Sequence, residues 1–433
     1  MAARKPLMRI PYTDVFAAPR IIPRQAVHPQ TAVAALRAFL TAPPPPGLPA
    51  STVILTGAGL SVASGLADYR GENGTYRVNK TYRPIYFHEF LASHEARKRY
   101  WARSFLGWTT LHKATPNASH YALRDLGRLG YVHAVVTQNV DSFHRIAHPD
   151  VPTTVELHGY LRSTVCTTCH HEYPRDTFQT ELARLNPAWA AFLADAVAAG
   201  ALAADEPTTG APSAHGVRGI RTNPDGDVDL PDAPYTTFRY PPCPNCLAHP
   251  PVAADGTQSV VEVDADGAWS LPEAMGSRGS NDNSNNNGGT DGVSKKRYAG
   301  ILKPAVVMFG ESIAPAVKQA AEVAIDGAGR LLILATSLAT YSAWRLAKRA
   351  KDRGMPIGIV NIGGVRGEEI FFTDLDPQQK GNQAVRLEMP TDRVLPMVVE
   401  ELKKSAPRGQ VRNPADAMMA DPANPAIFRD MLS

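Results

Sequence analysis

Cysteine is scarce in this 433-residue chain: there are four, and none is left unpaired by spacing. They form two C-x-x-C pairs, Cys166/Cys169 and Cys243/Cys246. No signal-peptide apolar core precedes the body of the chain, so a secreted disulfide framework is not expected. No apolar run approaches the roughly 20 residues that a membrane-spanning helix needs, so no membrane partner is expected. Strong charge is missing too. Lys and Arg total 45 against 41 Asp and Glu, a net +4, which gives no argument for nucleic acid. What remains is ordinary for a soluble globular protein: 44% hydrophobic and 20% charged residues, in a chain long enough for two or three domains.

In a reducing compartment two C-x-x-C pairs read as one tetrahedral zinc site with Cys166, Cys169, Cys243 and Cys246 as ligands. Four thiolates close the metal's shell, so the zinc is structural. A redox dithiol and incidental cysteines are the alternatives. The gap of about 70 residues between the pairs exceeds the usual zinc-ribbon spacing, so an insertion must lie between them.

Short apolar runs ending in glycine or polar turns punctuate the rest. They are Ser51–Thr56, Tyr131–Thr137, Arg330–Thr336 and Ile357–Asn361, with helical patterns at Ser119–Leu129 and Ser342–Arg353. Alternation of β-rich runs with helices predicts an α/β fold, a Rossmann-type doubly wound parallel sheet with a smaller zinc-binding domain inserted. Ligands then bind at the carboxyl ends of the strands. The expected organisation is an N-terminal extension over 1–32, a first part of the Rossmann-type domain over 33–160 with a lid and helical segment at 71–115, the zinc domain over 161–300, a second Rossmann-type part over 301–403, and a tail over 404–433. Two insertions in the zinc domain, 199–232 and 276–292, read as disordered from composition. Arg4, Lys5, Arg9, Arg20 and Arg24 against the single acid Asp14 suit a mitochondrial presequence, although prolines at 6, 11, 19, 23 and 29 and the lack of serine do not make an amphipathic helix.

The turns at Gly57, Gln138, Thr336 and Asn361 sit at strand ends. Gly57-Ala58-Gly59 lets backbone approach a pyrophosphate at a helix start, but the third fingerprint glycine is absent because position 62 is Val. A plain tight turn is the alternative. Asp68, Tyr69 and Arg70 follow and could line a pocket. Gln138-Asn139-Val140-Asp141 offers amides and a carboxylate to a ribose or carboxamide, or else makes an Asx-type turn. Asn361-Ile362-Gly363 is a further turn at that edge. His158, before Gly159, titrates near neutrality and suits general-base work, whereas a lone histidine is more often structural. Val307-Met308-Phe309-Gly310-Glu311 ends an extended apolar segment that could take a peptide as an added strand, or be an ordinary core strand.

Together these residues resemble the sirtuin family of NAD-dependent protein deacylases over roughly 33–400. The signatures are Gly57-Ala58-Gly59-x-Ser61-x-x-Ser64-Gly65-x-x-Asp68-Tyr69-Arg70, Thr137–Asp141, Leu157-His158-Gly159, the two C-x-x-C pairs, Ala335-Thr336-Ser337-Leu338 and Asn361–Gly363. Arg83-Pro84-Ile85, Arg99–Trp108, Asn186-Pro187-x-Trp189 and Asp225-Gly226-Asp227 are similar to the class II branch that contains mitochondrial sirtuin four.

The resemblance implies NAD as co-substrate, acylated protein lysines as partners and a cleft between two domains. It implies Asn139 and Asp141 at the nicotinamide end and His158 as the base that deprotonates a ribose hydroxyl. Gly57, Ala58, Gly59, Ser61, Gly65, Asp68, Tyr69, Arg70, Tyr76, Gln138, Val140, Ala335, Thr336, Ser337, Asn361, Ile362 and Gly363 would complete the cofactor site. Val307–Glu311 would clamp the substrate. The implied products are free lysine, nicotinamide and O-acyl-ADP-ribose. An ADP-ribosyltransferase or a weakly active NAD-binding regulator is the alternative; a zinc-ribbon nucleic-acid binder and a hydride-transferring dehydrogenase rank below. A monomer in the mitochondrial matrix is expected, with cytoplasm or nucleus the other compartments. Ala67, Ala305 and Ala335 depart from the proline, aspartate and glycine usual in the family. Tyr100 and Arg103 have the three-residue separation of dicarboxyl-acyl readers, but their neighbours follow the sirtuin-four pattern, so that preference is not inferred.

Overall fold

The computed structural model describes residues 16–80, 82–200, 222–252, 256–271, 298–373, 375 and 383–405. The low-complexity stretch 276–292 and the tail beyond 405 lie outside the described residues.

Contacts divide the chain into two compact units. One comprises 1–82, 114–158 and 313–433; the other comprises 83–113 and 159–312. The first is built on six parallel strands: β1 (Thr52–Thr56), β2 (Val132–Thr137), β3 (Thr153–Glu156), β7 (Arg330–Leu334), β8 (Ile357–Val360) and β9 (Ala384–Leu387). Their spatial order is β3-β2-β1-β7-β8-β9. This is the doubly wound order, whose direction reverses between β1 and β7, so the expected fold class holds.

β1, β7, β8 and β9 are buried at every position, which is why β1, β7 and β8 read as continuous apolar runs. Ile54, Val132, Leu332 and Val385 pack on one face with the helices Pro29–Thr41, Ala118–Arg128 and Thr391–Ser405. Val53, Ala134, Leu331 and Ile359 pack on the other with Pro315–Asp326 and Tyr341–Asp352.

The second unit holds a three-stranded sheet of β4 (Gly159–Cys166), β5 (Glu172–Pro174) and β6 (Leu302–Val306), in the order β5-β4-β6 with antiparallel pairing. β6 is an edge strand. The core of this unit gathers Trp101, Phe105, Phe178, Trp189 and Phe238 around Cys166, Cys243 and Cys246.

Three expectations change. The helical segment expected within the Rossmann-type part divides: residues 83–113 group with the cysteine-bearing unit, because the helix His94–Lys113 buries Trp101, Ala102, Phe105 and Leu106 in that unit's core. The 301–312 stretch joins the same unit through β6. The 199–232 insertion is not wholly without structure. Asp227 is buried against the equally buried Arg103, with which it forms an ion pair, and the Val228 N–H donates to the Arg103 carbonyl at 3.0 Å. Residues 201–221 of it lie outside the described part. Within the stretch read as an N-terminal extension, Ile22 and Ala26 are buried. No described helix is long and apolar enough to cross a membrane.

Candidate active site and metal centre

The reversal point between β1 and β7 is where the glycine motif lands. The chain leaves β1 at Gly57 into a 3-10 helix, Ala58–Ser64, rather than an α-helix start. The Gly57 N–H donates to the Leu334 carbonyl at 3.2 Å and the Gly59 N–H to the Ala335 carbonyl at 3.1 Å. A Cβ on Gly57 would fall 2.5 Å from the Thr336 Cβ, and one on Gly59 would fall 3.0 Å from the Ala335 carbonyl oxygen. These two N–H groups are therefore spent on the end of β7, and the glycines are needed for the close approach of two turns. Gly65 is left-handed, with φ of 83°.

Gln138 braces the same turns. Its Nε2 donates to the Thr56 carbonyl at 3.1 Å and to the Thr336 hydroxyl at 2.9 Å, and its Oε1 accepts from the Thr340 hydroxyl at 2.9 Å. The side chain expected to face a ribose thus knits β1, β2 and β7 together in this structure.

Ser61 and Asn139, both buried, form a hydrogen-bond relay with the half-buried Asp141. The Ser61 hydroxyl donates to Asp141 Oδ2 at 2.7 Å, and Asn139 Nδ2 donates to Ser61 Oγ at 3.2 Å. The Phe143 N–H donates to Asp141 Oδ1 at 2.9 Å. Burial pushes the Asp141 carboxyl up, against the pull of Ser61 and the Phe143 amide. Asn139 Oδ1 is buried with no hydrogen-bond partner among the described residues. A buried unpaired acceptor is costly, so this oxygen fits an incoming N–H donor such as a carboxamide.

His158 stands at the end of β3. Its Nδ1 lies 3.1 Å from the Gln138 carbonyl, which can only accept, so Nδ1 carries the proton. Its Nε2 is then the lone-pair nitrogen, and the Ser342 hydroxyl donates to it at 2.8 Å. Burial holds the imidazole pKa down at about 4, so the ring is neutral at pH 7. The geometry is that of a base whose lone pair already receives a hydroxyl hydrogen bond.

Asn361 is buried, and its Nδ2 donates to the Ile362 and Gly363 carbonyls at 2.9 and 3.1 Å. The turn is clasped by Arg386 on β9, fully buried, whose guanidinium donates to the Asn361 and Gly363 carbonyls and to both oxygens of Glu368. Sequence reasoning missed Arg386, Glu368 and Ser342. A lone arginine within a short β-run carries no local signal, and Ser342 is marked only by its place at a helix start.

Tyr69 and Tyr76 stack at 5.4 Å, with Tyr76 buried, and the Arg70 guanidinium lies 5.7 Å from the Tyr76 ring. Asp68 accepts the Gly71 N–H at 3.0 Å, fixing the turn into the short helix Thr75–Val78. Ile362 is exposed, Val140 is half-buried, and the Ser337 carbonyl accepts the Arg366 N–H.

In the second unit the segment Val307–Glu311 continues edge strand β6. The Phe309 carbonyl accepts the Phe87 N–H at 2.9 Å, and Gly310 is left-handed with φ of 83°. The Glu311 carboxylate turns inward, accepting the Met308 N–H at 2.8 Å and pairing with Lys303 at 3.3 Å. It shapes the loop rather than facing outward.

The sulfur atoms of Cys166, Cys169, Cys243 and Cys246 lie within 4.8 Å of one another. Cys166–Cys246 and Cys169–Cys243 are each 3.6 Å apart. Zinc–sulfur bonds of about 2.3 Å in a tetrahedron place sulfurs about 3.8 Å apart, so the four cysteines fit one zinc ion. The Tyr173 hydroxyl donates to Cys243 Sγ at 3.3 Å, supporting the ligand from outside.

A sequence model of the Sir2 family matches residues 57–342. The NAD-dependent protein deacylase SIR4 of Batrachochytrium dendrobatidis is 34% identical over 320 residues, 74% of this chain and 83% of that protein. The NAD-dependent protein deacylase SRT2 of Arabidopsis thaliana is 32% identical over 319 residues, 73% of this chain and 67% of that protein. The NAD-dependent protein lipoamidase sirtuin-4, mitochondrial, of Bos taurus is 30% identical over 324 residues, 75% of this chain and 78% of that protein. With the doubly wound sheet, the four-cysteine cluster and these likenesses in agreement, the chain belongs to the Sir2 family, with sirtuin-4-like proteins among its relatives.

Proposed function

We propose that this protein is an NAD-dependent protein-lysine deacylase that transfers the acyl group of an acyl-lysine to ADP-ribose and releases nicotinamide. The observation that carries the reading is the tautomer and partner of His158. Nδ1–H is pinned to the Gln138 carbonyl, and Nε2 accepts a hydroxyl at 2.8 Å. A ribose hydroxyl taking the place of the Ser342 hydroxyl would meet a neutral base already aimed at it.

NAD supplies the electrophilic ribose carbon and the nicotinamide leaving group. The chain's part is orientation. The unpaired Asn139 Oδ1 suits the nicotinamide carboxamide, and Ser61 holds both Asn139 and Asp141 in place. Val307–Glu311, extending an edge strand, would take the substrate peptide by strand addition. Zinc at the four cysteines would hold the second unit's core and leave no open position for chemistry.

Among acyl groups, the structure speaks against a terminal carboxylate at Arg103. That side chain is buried and already paired with Asp227, with Asp229 at 3.8 Å. The mitochondrial matrix is the proposed compartment. Its support is the basic bias of residues 4–24 and the mitochondrial sirtuin-4 of Bos taurus among the relatives.

The test is purified zinc-loaded protein with NAD and a panel of acyl-lysine peptides, read by mass spectrometry. O-acyl-ADP-ribose should form and fall about 100-fold or more in His158→Ala. Product formed at the wild-type rate by that variant overturns the assigned base. Nicotinamide release that ignores the acyl peptide turns the reading toward ADP-ribosyl transfer.

A further inference from the structure

Residues Phe16–Ile22 precede the stretch that the family model matches, and no sequence motif marks them. One end of this segment is tied to the sheet. The Ile22 N–H donates to the Arg386 carbonyl at 3.0 Å, and the Arg386 N–H donates back at 2.8 Å. The other end passes over the turn that follows β8. A Cβ on Gly364 would lie 2.1 Å from the Ala17 carbonyl oxygen and 2.8 Å from the Phe16 Cβ, so only a glycine allows the strap to come this close.

From there the Phe16 ring reaches Arg70, whose guanidinium carbon lies 5.9 Å from the ring centroid. The same guanidinium lies 5.7 Å from the ring of Tyr76, which is buried and stacked on Tyr69. Arg70 is thus shared by one ring fixed in the body of the unit and one ring brought by the strap. Arg70 follows the glycine loop, and Gly364 follows Asn361–Gly363. Both segments belong to the proposed cofactor site, and Phe16 touches both.

We propose that Phe16 is a positioning residue for NAD, acting through Arg70; this rests on the cofactor reading above. A long arginine side chain loses rotamer freedom when it meets a ligand, and that cost lowers affinity. Two aromatic rings against one guanidinium spend that entropy before the ligand arrives, while leaving the cation charged for an anionic diphosphate. The strap therefore tunes cofactor affinity from outside the family's motif region.

The experiment compares Phe16→Ala, Phe16→Leu and Phe16→Tyr in the full zinc-loaded chain. ADP-ribose binding is measured by calorimetry, with KM for NAD and for peptide, kcat and thermal melts alongside. Loss of a partly exposed cation–π contact corresponds to about two- to fivefold weaker ADP-ribose binding and a matching rise in KM for NAD in Phe16→Ala. Phe16→Tyr restores affinity and Phe16→Leu does not, because leucine replaces the packing but not the π face. In the Arg70→Ala background, Phe16→Ala has no further effect on binding. Wild-type affinity in Phe16→Leu reduces the strap to packing and overturns the proposal. Tighter binding in Phe16→Ala makes the strap an obstruction and overturns it as well. Wild-type protein that binds no ADP-ribose sinks the cofactor reading itself, a result distinct from any difference among the Phe16 variants.

Discussion

Replacing Lys303 with methionine keeps most of the length of the side chain and removes its charge, which tests what shapes the proposed substrate loop. Lys303 is 7% exposed. Its ammonium donates to the Pro304 and Val306 carbonyls at 3.0 and 2.8 Å and lies 3.3 Å from Glu311 Oε2. Glu311 in turn accepts the Met308 N–H, so one cation and one carboxylate close the loop from both ends. Burial lowers the Lys303 pKa, and Glu311 pulls the other way. Removing one partner of a fully buried pair costs about 3–5 kcal/mol. The Glu311 side chain is 19% exposed, so water recovers part of that, and we expect a loss of about 2–3 kcal/mol. Glu311→Gln placed on top should cost less than the sum of the two single changes, with a coupling of about 1–2 kcal/mol. Urea unfolding followed by tryptophan fluorescence reads mainly this unit, because Trp101, Trp108, Trp189 and Trp269 lie in it and only Trp344 lies in the other. The loop proposed to take the peptide is the part disturbed, so KM for peptide should rise while KM for NAD moves little. A loss below about 0.5 kcal/mol, or strict additivity of the two changes, refutes the reasoning.

Three further outcomes are expected. Ala335 sits in the left-handed region with φ of 49°, a strain of about 1–2 kcal/mol for an alanine, less about 0.4–1 kcal/mol for the looser unfolded chain of a glycine variant. Ala335→Gly should therefore raise the melting temperature, and an unchanged or lower one refutes the strain. Elemental analysis should find one zinc per chain, and a strong chelator or Cys243→Ser should abolish the near-ultraviolet signal of the tryptophan-rich core; a fully retained signal without metal refutes a structural zinc. A base active only when unprotonated loses function as pH falls through its folded pKa, so kcat/KM should hold down to near pH 4, the His158 value, and an acid limb at pH 6–7 refutes it. The rates must be taken where the protein stays folded. His120 and His148 are buried with pKa values lowered to about 3 and about 4, so the unfolded chain takes up their protons first and stability drains away as pH falls below about 6.5.

The inner strands were legible because burial on both faces forces an unbroken apolar run. β3 and β9 were not. β3 reads Thr-Thr-Val-Glu and has only one buried residue, so its pairing with β2 leaves no hydrophobic trace. β9 carries Arg386, whose burial is tolerated only because Glu368 and two turn carbonyls meet it across long sequence separations. The glycine motif was visible, but its reason was not. The sequence suggested room for a phosphate, while the structure shows glycine needed because Thr336 and the Ala335 carbonyl press against it. Composition misjudged the insertion near residue 227 for a related reason. Asp and Gly there look like solvent-exposed turn residues until Arg103 supplies a buried cation for Asp227. The cysteine spacing, by contrast, needed no tertiary information, since the four thiols can satisfy a metal only together.

The three departures from the family pattern bear differently on activity. Ala67 is buried within the loop after the 3-10 helix, where its small side chain is enclosed. Ala305 lies on β6, where the Gly159 backbone approaches so closely that a Cβ there would fall 2.1 Å from the Ala305 carbonyl oxygen. With no carboxylate at 305, the charges of that loop reduce to Lys303 and Glu311, which pair with each other, so the departure leaves no orphan charge. Ala335 is the costly one, and its strain is held by bonds on both sides: its N–H to the Val360 carbonyl at 2.9 Å and its carbonyl to the Gly59 N–H at 3.1 Å. A strained residue persists where its surroundings over-determine it. Gln138, whose amide donates to the Thr336 hydroxyl next to Ala335, is such a surrounding, and Arg386 with Glu368 fixes the Asn361 turn that follows Val360. The rigidity of the proposed cofactor edge thus comes largely from side chains that donate to turn carbonyls. Relieving Ala335 should change stability far more than it changes the placement of His158, whose own anchor is the Gln138 carbonyl.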